Sequence, residues 1–550
     1  MMTKSLQIHP QDNVAVALVG LVKGNEMTVG KDRITLLDDV PAKHKYAMRD
    51  IDTDADVIMY GVLVGKATQP IKKGALLSTS NIRHASGEYR VSQRKTDWIR
   101  PDVSRWHERT FMGYHRSNGA VGVKNYWLLI PLVFCENKNV SLIHETLVKE
   151  LGYQRASSPY AGLVRELKRL YQAGGTDEAT LATAIDTETI GTGDRLFAHV
   201  DGIKMLTHTL GCGGTKDDAR TLCGLLAGYV THPNVAGATV LSLGCQNAQI
   251  SLLEAEIAKR DASFNKPLYI LEQQRIGNEA DLLREAVQQT FMGLVQANEV
   301  VRQPTPLSKL CIGLECGGSD GFSGISANPA LGYTADVLVA LGASVVLSEF
   351  PELCGVEQEL SDRCVDEELA GKFVHLMQAY QHRAEAVGSG FDSNPSAGNI
   401  RDGLITDAIK SAGAAKKGGT SPVVDVLDYP DKVTKPGLTL LCTPGSDIES
   451  TTAEVGSGAT VVVFTTGLGT PTGNPIAPVV KVATNTPLYE KMNDIIDLDA
   501  GTVVRGEEGI EAAGERILEH IIRVASGEEI VKAEVGGHDD FIPWKRGISL

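Results

Sequence analysis

Three cysteines share one local pattern. Cys212 in "LGCGG", Cys245 in "LGCQN" and Cys316 in "LECGG" each follow a short apolar run, stand beside glycine and precede a helical stretch. In an open α/β sheet, loops after the carboxyl ends of strands line the ligand crevice, so three strand ends could bring three thiols to one edge. Three thiolates with one open position would make a shared iron or iron–sulfur site of the kind found in hydro-lyases. The alternative is that each thiol serves only its own loop or core. His208, four residues before Cys212 in "THTLGC", adds a metal ligand or a general base. The expected metal set is therefore His208, Cys212, Cys245 and Cys316. Cys316 also opens the glycine-rich stretch "GLECGGSDGFSG", Gly313 to Gly324, which carries Glu315, Ser319 and Asp320 and is followed by Asn328. Carboxylates beside a metal ligate it or move protons. Glycine lets a backbone approach a small ligand closely.

A second constellation lies near the start. "PAKHKYAMRD", Pro41 to Asp50, holds His44, Lys45 and Arg49 at a predicted bend. Histidine exchanges protons near neutral pH, and Lys45 and Arg49 suit a substrate carboxylate. Ordinary surface-turn residues are the competing reading. Other residues carry less. Cys223 lies in a helical stretch and Cys311 in a strand, so both are expected in the core; Cys442 also follows a strand, in "LLCTPG", so position alone assigns no function. "AAKKGG", Ala414 to Gly419, reads as a solvated loop. No C-x-x-C pair supports a zinc ribbon. No phosphate-binding G-x-x-x-x-G-K-[ST] loop occurs, and "GLGTPTG" has the wrong spacing for a dinucleotide fingerprint. That absence counts against a nicotinamide-dependent dehydrogenase.

The elements that must position these groups follow from periodicity. Residues 1–88 show short alternating strands without helical period. Residues 89–118 are polar, basic and poor in aliphatics, and read either as a linker or extended arm or as an ordered loop wrapped on the next domain. From 119 onward short apolar runs alternate with helical stretches. This predicts a middle α/β domain over 119–305 and a C-terminal α/β catalytic domain over 306–550, with mostly parallel sheets covered on both faces. Asn328, followed by Pro329, is predicted to cap a helix.

Composition bounds the rest. The chain has 550 residues and a formal net charge of −15, with 53 Lys and Arg against 68 Asp and Glu. No basic stripe suggests nucleic acid. No run approaches the ~18 apolar residues of a membrane span, and the start lacks a signal-peptide core. Nine cysteines without paired spacing point to a reducing cytoplasm.

The motifs also carry a likeness. "DNVAVAL", "HKYAMRDI", "VGVKN", "THTLGC", "LGCQN", "GLECGGSDGFSGISANPALG", "SEFPELCGVEQ", "NPSAGN", "TPGSD", "TTGLGTP" and the ending "DFIPWKRGISL" run over nearly the whole chain. The chain resembles the altronate/galactarate dehydratase family. The resemblance implies an N-terminal SAF domain of β-clip fold. It implies a hydro-lyase that removes water from D-altronate to give 2-dehydro-3-deoxy-D-gluconate in hexuronate (galacturonate) breakdown, with galactarate or another sugar acid as the alternative substrate. It further implies a requirement for Fe(2+), with Mn(2+) or an iron–sulfur cluster as alternatives, and a homodimer. His44, Lys45, Glu315 and Asp320 become the expected catalytic residues, and Arg49, Ser319 and Asn328 the expected substrate-binding ones. Departures exist. The family's H-x-H-N near the end of the SAF domain is replaced in "LLSTSN", Leu76 to Asn81, with only Asn81 retained; His84 is nearby but out of register. Lys43 stands where the family has glycine, and Gln246 where it has glutamate. The lost histidines keep open a catalytically silent sugar-acid-binding protein.

Overall fold

The computed structural model describes residues 4–87, 89–90, 92–154, 160–174 and 194–549. The N-terminal region is built only of short antiparallel strands. Strand β1 (Val14–Ala17) pairs with β2 (Lys45–Ala47), Val16 standing opposite Lys45. The turn at Pro41–His44 leads directly into β2. Strand β3 (Val62–Ala67) belongs to a separate three-stranded sheet.

The described residues of the polar arm wrap on the C-terminal region. The backbone N–H of Lys95 donates to the Asp362 carbonyl at 2.6 Å. Trp98 Nε1 donates to Thr420 Oγ1 at 3.2 Å, and Arg105 pairs with Glu515. Trp106, at 1% exposure, anchors the segment. The arm ends before its composition does: Thr110–His115 is already a strand, paired with Arg302–Pro306.

Two parallel sheets follow. The middle sheet has the order β5-β4-β6-β7, from β4 (Tyr126–Pro131), β5 (Gly202–Met205), β6 (Val235–Ser242) and β7 (Leu268–Glu272). The C-terminal sheet has seven parallel strands in the order β10-β11-β9-β8-β12-β13-β14. These are β8 (Cys311–Cys316), β9 (Ser344–Leu347), β10 (Val423–Asp428), β11 (Gly437–Cys442), β12 (Val461–Thr466), β13 (Val479–Ala483) and β14 (Leu498–Asp499). Strands such as "VVVFTT" and "VVKVA" are buried along their whole length. That is the signature of a parallel sheet covered on both faces.

Helices α1 (Lys216–Thr231), α2 (Ala327–Ala340), α3 (Asp407–Ala414), α4 (Asp447–Ser457) and α5 (Ile510–Ser526) supply part of that cover. Helix α1 starts at a capping box, in which Thr215 and Asp218 satisfy each other's backbone N–H groups. Tyr229 of α1 donates to the Thr452 carbonyl of α4 at 3.2 Å, joining the two parallel sheets' domains. One apolar core runs through all three regions, from Val14 and Val57 through Leu128 and Val240 to Leu314 and Val463.

Candidate active site

In the seven-stranded sheet the chain leaves β8 toward β9 on one side and later returns to β12 on the other. The carboxyl ends of β8 and β12 therefore form a topological switch point, where open α/β sheets bind ligands. The glycine-rich loop emerges from β8 at this point. Gly467 and Leu468, after β12, donate their N–H groups to the Gly318 carbonyl at 3.0 and 2.8 Å.

The N-terminal domain inserts its bend here. Lys43 Nζ lies 3.0 Å from Asp320 Oδ2 and 2.8 Å from Asp402 Oδ1. Lys45 Nζ donates to the Gly403 carbonyl at 2.6 Å. Two glycines make this approach possible. A Cβ at Gly321 or at Gly403, whose φ is +92°, would fall 2.4 Å from the Lys43 carbonyl oxygen. Lys43 itself has φ 75°, a left-handed conformation that costs a side chain of order 1 kcal/mol.

The environment separates the two titrating groups of the bend. Lys45 is fully buried; that burial pulls its pKa down to about 7, with Asp320 opposing. His44 is half-buried. Burial lowers its pKa below the usual value, the Ala42 carbonyl opposes, and the Lys45 charge lowers it further. The His44 Nδ1 contact with the Ala42 carbonyl, 3.3 Å long, requires Nδ1 to carry the proton, because a carbonyl only accepts. Nε2 then holds the lone pair.

Asp320 is saturated. It accepts from the Phe322 N–H at 3.1 Å, from Ser323 and Thr484 hydroxyls at 3.2 and 2.9 Å, and from Asn485 at 3.2 Å, besides its pair with Lys43. These contacts tie the loop to the bend. Ser319 is buried and its carbonyl accepts from Asn399 at 2.7 Å. Asn328 does not cap the helix. Helix α2 begins at Ala327 after Ser326, and the Asn328 amide is spent on the Gly413 carbonyl at 3.0 Å and the Thr465 hydroxyl at 2.6 Å.

Beneath the loop lies a buried ionic cluster. Lys417 Nζ stands 3.0 Å from Cys316 Sγ and pairs with Glu349. Burial works against its charge, but the anionic neighbours outweigh it and raise its pKa well above the ordinary value. Cys316 remains a thiol, since burial raises its pKa more than Lys417 lowers it. Glu315, with Glu349 and Glu454 as neighbours, is pushed strongly upward by burial and by those two carboxylates. Glu349 holds φ 62°, a strained conformation of the sort that collects at functional sites. Glu352 completes the group. It accepts from Lys410 at 2.6 Å and from Asn394 at 3.1 Å.

Several sequence expectations need correction. "AAKKGG" is not a solvated loop: Lys417 is 1% exposed. The small residues around it let its backbone pack close, and Glu349, far off in sequence, leads the acidic neighbours that let a lysine stay there. The expected metal quartet does not assemble. Cys212 and Cys245 sit at the carboxyl end of the middle sheet, where the Ala248 N–H donates to the Gly211 carbonyl at 3.0 Å. Both thiols are exposed, whereas Cys316 is buried in the other sheet. Among the described residues, these donors form no set of three within 4.8 Å of one another. The Lys417 ammonium beside Cys316 further opposes a second cation there. The quartet thus does not fit a single metal ion.

Both ring nitrogens of His208 are taken by backbone groups. Its Nε2 donates to the Pro131 carbonyl at 2.8 Å, and its Nδ1 accepts from the Leu210 N–H at 3.1 Å. Burial drops its pKa to about 4, so it is a structural neutral imidazole. Gln246 is likewise a loop tie, donating to Ser242 at 2.6 Å and accepting from the Gly244 N–H at 2.7 Å. Arg49 is exposed on the N-terminal domain, outside the contacts that Lys43 makes with Asp320 and Asp402 and Lys45 with the Gly403 carbonyl. The pattern of "SEFPELCG" and "AAKKGG" gave no spacing rule that could have paired Glu349 with Lys417, which are 68 positions apart.

Family models match three consecutive stretches. Residues 3–85 match the altronate/galactarate dehydratase SAF domain. Residues 113–298 match the second domain of D-galactarate dehydratase/altronate hydrolase, and residues 307–549 the C-terminal domain of D-galactarate/altronate dehydratase. The chain is 34% identical to the altronate dehydratase of Escherichia coli (strain K12) over 546 residues, covering 99% of each chain. It is 33% identical to the altronate dehydratase of Bacillus subtilis (strain 168) over 553 residues, covering 100% of each. Identity to the galactarate dehydratase (L-threo-forming) of Escherichia coli (strain K12) is 29% over 531 residues, covering 95% of this chain and 93% of that one. With the SAF bend docked into the switch point of the large domain and these matches spanning its length, the chain belongs to the D-galactarate/altronate dehydratase family.

Proposed function

We propose that the protein is a hydro-lyase that converts D-altronate to 2-dehydro-3-deoxy-D-gluconate and water, with galactarate as the competing substrate. The docked bend carries the reading: it brings a neutral imidazole and a lysine of near-neutral pKa together at the sheet's ligand edge. His44 Nε2 takes the proton from C2. The C3–O bond breaks with its electrons on oxygen, and Lys45 supplies the proton that completes water. The enol then becomes the 2-keto acid. A base of lower pKa beside an acid of higher pKa is the arrangement that runs both proton transfers near neutrality. Lys43 adds positive charge for an anionic substrate. The family likeness also supports a divalent iron, whose Lewis acidity would ease departure of hydroxide.

The test is incubation of purified protein with D-altronate or galactarate, anaerobically, with and without ferrous iron. Formation of a 2-keto-3-deoxy acid without change in nicotinamide absorbance is expected, with higher kcat/KM on altronate. No keto acid from either substrate would leave the silent binding protein as the better reading. All nine cysteines are unpaired, and among the described residues no helix is long and apolar enough to cross a membrane. Both features fit the cytoplasm. A homodimer is proposed as the assembly, and light scattering tests it.

A further inference from the structure

Where the N-terminal domain ends, its last strand delivers His84 onto helix α3. The His84 side chain is 35% exposed and its Nδ1 lies 3.9 Å from Asp407 Oδ2. It accepts the Ala408 N–H at 3.3 Å. Cys354, on the segment after β9, hydrogen-bonds to the same Asp407 carboxyl. One ring nitrogen of His84, the Cys354 sulfur and an Asp407 oxygen all lie within 4.8 Å of one another. The only other such set among the described residues is Cys316, Glu349 and Glu352, and that one already holds the Lys417 ammonium.

The geometry points to a divalent transition-metal site formed by His84, Cys354 and Asp407, bridging the N-terminal domain to the C-terminal one. The donor set is mixed nitrogen, sulfur and oxygen, which suits borderline ions of the iron-to-zinc part of the series. Three protein ligands leave a position open for water or another ligand. Bonds of about 2.0–2.3 Å require the three atoms to close by roughly an ångström. His84, whose side chain is 35% exposed, would turn toward the other two donors as they close.

Location gives the site a consequence. Thr406, one residue before Asp407, donates to the Val64 carbonyl of β3 at 2.8 Å. Gly403, three residues earlier still, accepts from Lys45. On the following turn of α3, Lys410 holds Glu352. A metal at Asp407 would therefore fix the helix start that seats the catalytic bend. The inference stands whichever sugar acid is the substrate, because it concerns binding of the ion itself.

Cobalt(II) titration of the tag-free full chain, made metal-free and kept anaerobic, tests it. One equivalent should produce a thiolate-to-cobalt charge-transfer band together with visible ligand-field bands. Cys354→Ser should remove the charge-transfer band. His84→Ala, at a partly exposed position that folding tolerates, should weaken binding at least about tenfold. Cys316→Ser should leave the spectrum unchanged. The proposal is overturned if the wild-type chain gives no charge-transfer band. It is equally overturned if the band survives Cys354→Ser and disappears instead in Cys212→Ser or Cys245→Ser.

Discussion

Replacing Lys417 with methionine tests the buried cluster most directly. The side chain is 1% exposed and its partner Glu349 is fully buried. Removing the ammonium would leave Glu349 without its counter-ion and Cys316 without its 3.0 Å neighbour. Breaking a buried pair from one side costs about 3–5 kcal/mol. In a region of the size matched by the C-terminal family model, each kcal/mol moves the melting point by roughly 2–4 °C, so a fall on the order of 10 °C is expected. Glu349→Gln alone should cost a similar amount. The double variant should recover a large part, because neither charge is then stranded. Differential scanning calorimetry of the three variants and the parent measures this. Single variants within about 2 °C of the parent, or additive losses in the double variant, would show that the charges are not coupled and would refute the argument.

Further expectations concern the bend. His44→Ala should abolish turnover while leaving the melting point and circular dichroism unchanged; near-normal turnover would remove it from the chemistry. The kcat/KM profile should rise with pH as His44 loses its proton below its ordinary value, then fall through about 7 as Lys45 deprotonates. An alkaline limb near 10 would contradict a buried Lys45 acid. Lys43→Gly removes the pair with Asp320 and Asp402 but relieves the left-handed φ; because Asp320 is fully buried, the lost counter-ion outweighs that relief and the variant should be destabilised by about 2–4 kcal/mol, while KM for the anionic substrate rises. His208, held neutral with a pKa of about 4, binds its proton more readily in the unfolded chain. Its contribution is complete above the ordinary histidine value and is lost as pH falls from there toward 4, up to about 3 kcal/mol. Urea midpoints of His208→Gln and the parent should therefore converge over that window.

Local information in the sequence settled a great deal. Alternating short strands marked the N-terminal β-domain, and fully apolar runs between helical stretches marked parallel sheets, because burial on one or both faces is written in residue period. The "HKYAMRD" bend and the "GLECGGSDGFSG" loop were candidate sites from residue type and glycine content, the bend with an ordinary surface turn as its competing reading. The pairing of those two sites was a matter of tertiary structure: Lys43 and Asp320 are far apart in the chain and meet only because the β-domain folds back onto the switch point. The same holds for errors. Cys212, Cys245 and Cys316 share a motif, yet motif says nothing about which sheet a strand joins. His208 looked available because its acceptor, the Pro131 carbonyl, is a backbone atom that sequence does not display. "AAKKGG" looked solvated because lysine is costly to bury, and the cost is offset only by a glutamate supplied from elsewhere in the fold. Residue chemistry and period fix what each segment can do; long-range packing decides which groups are desolvated together, and so which of them carry a shifted pKa or a counter-ion.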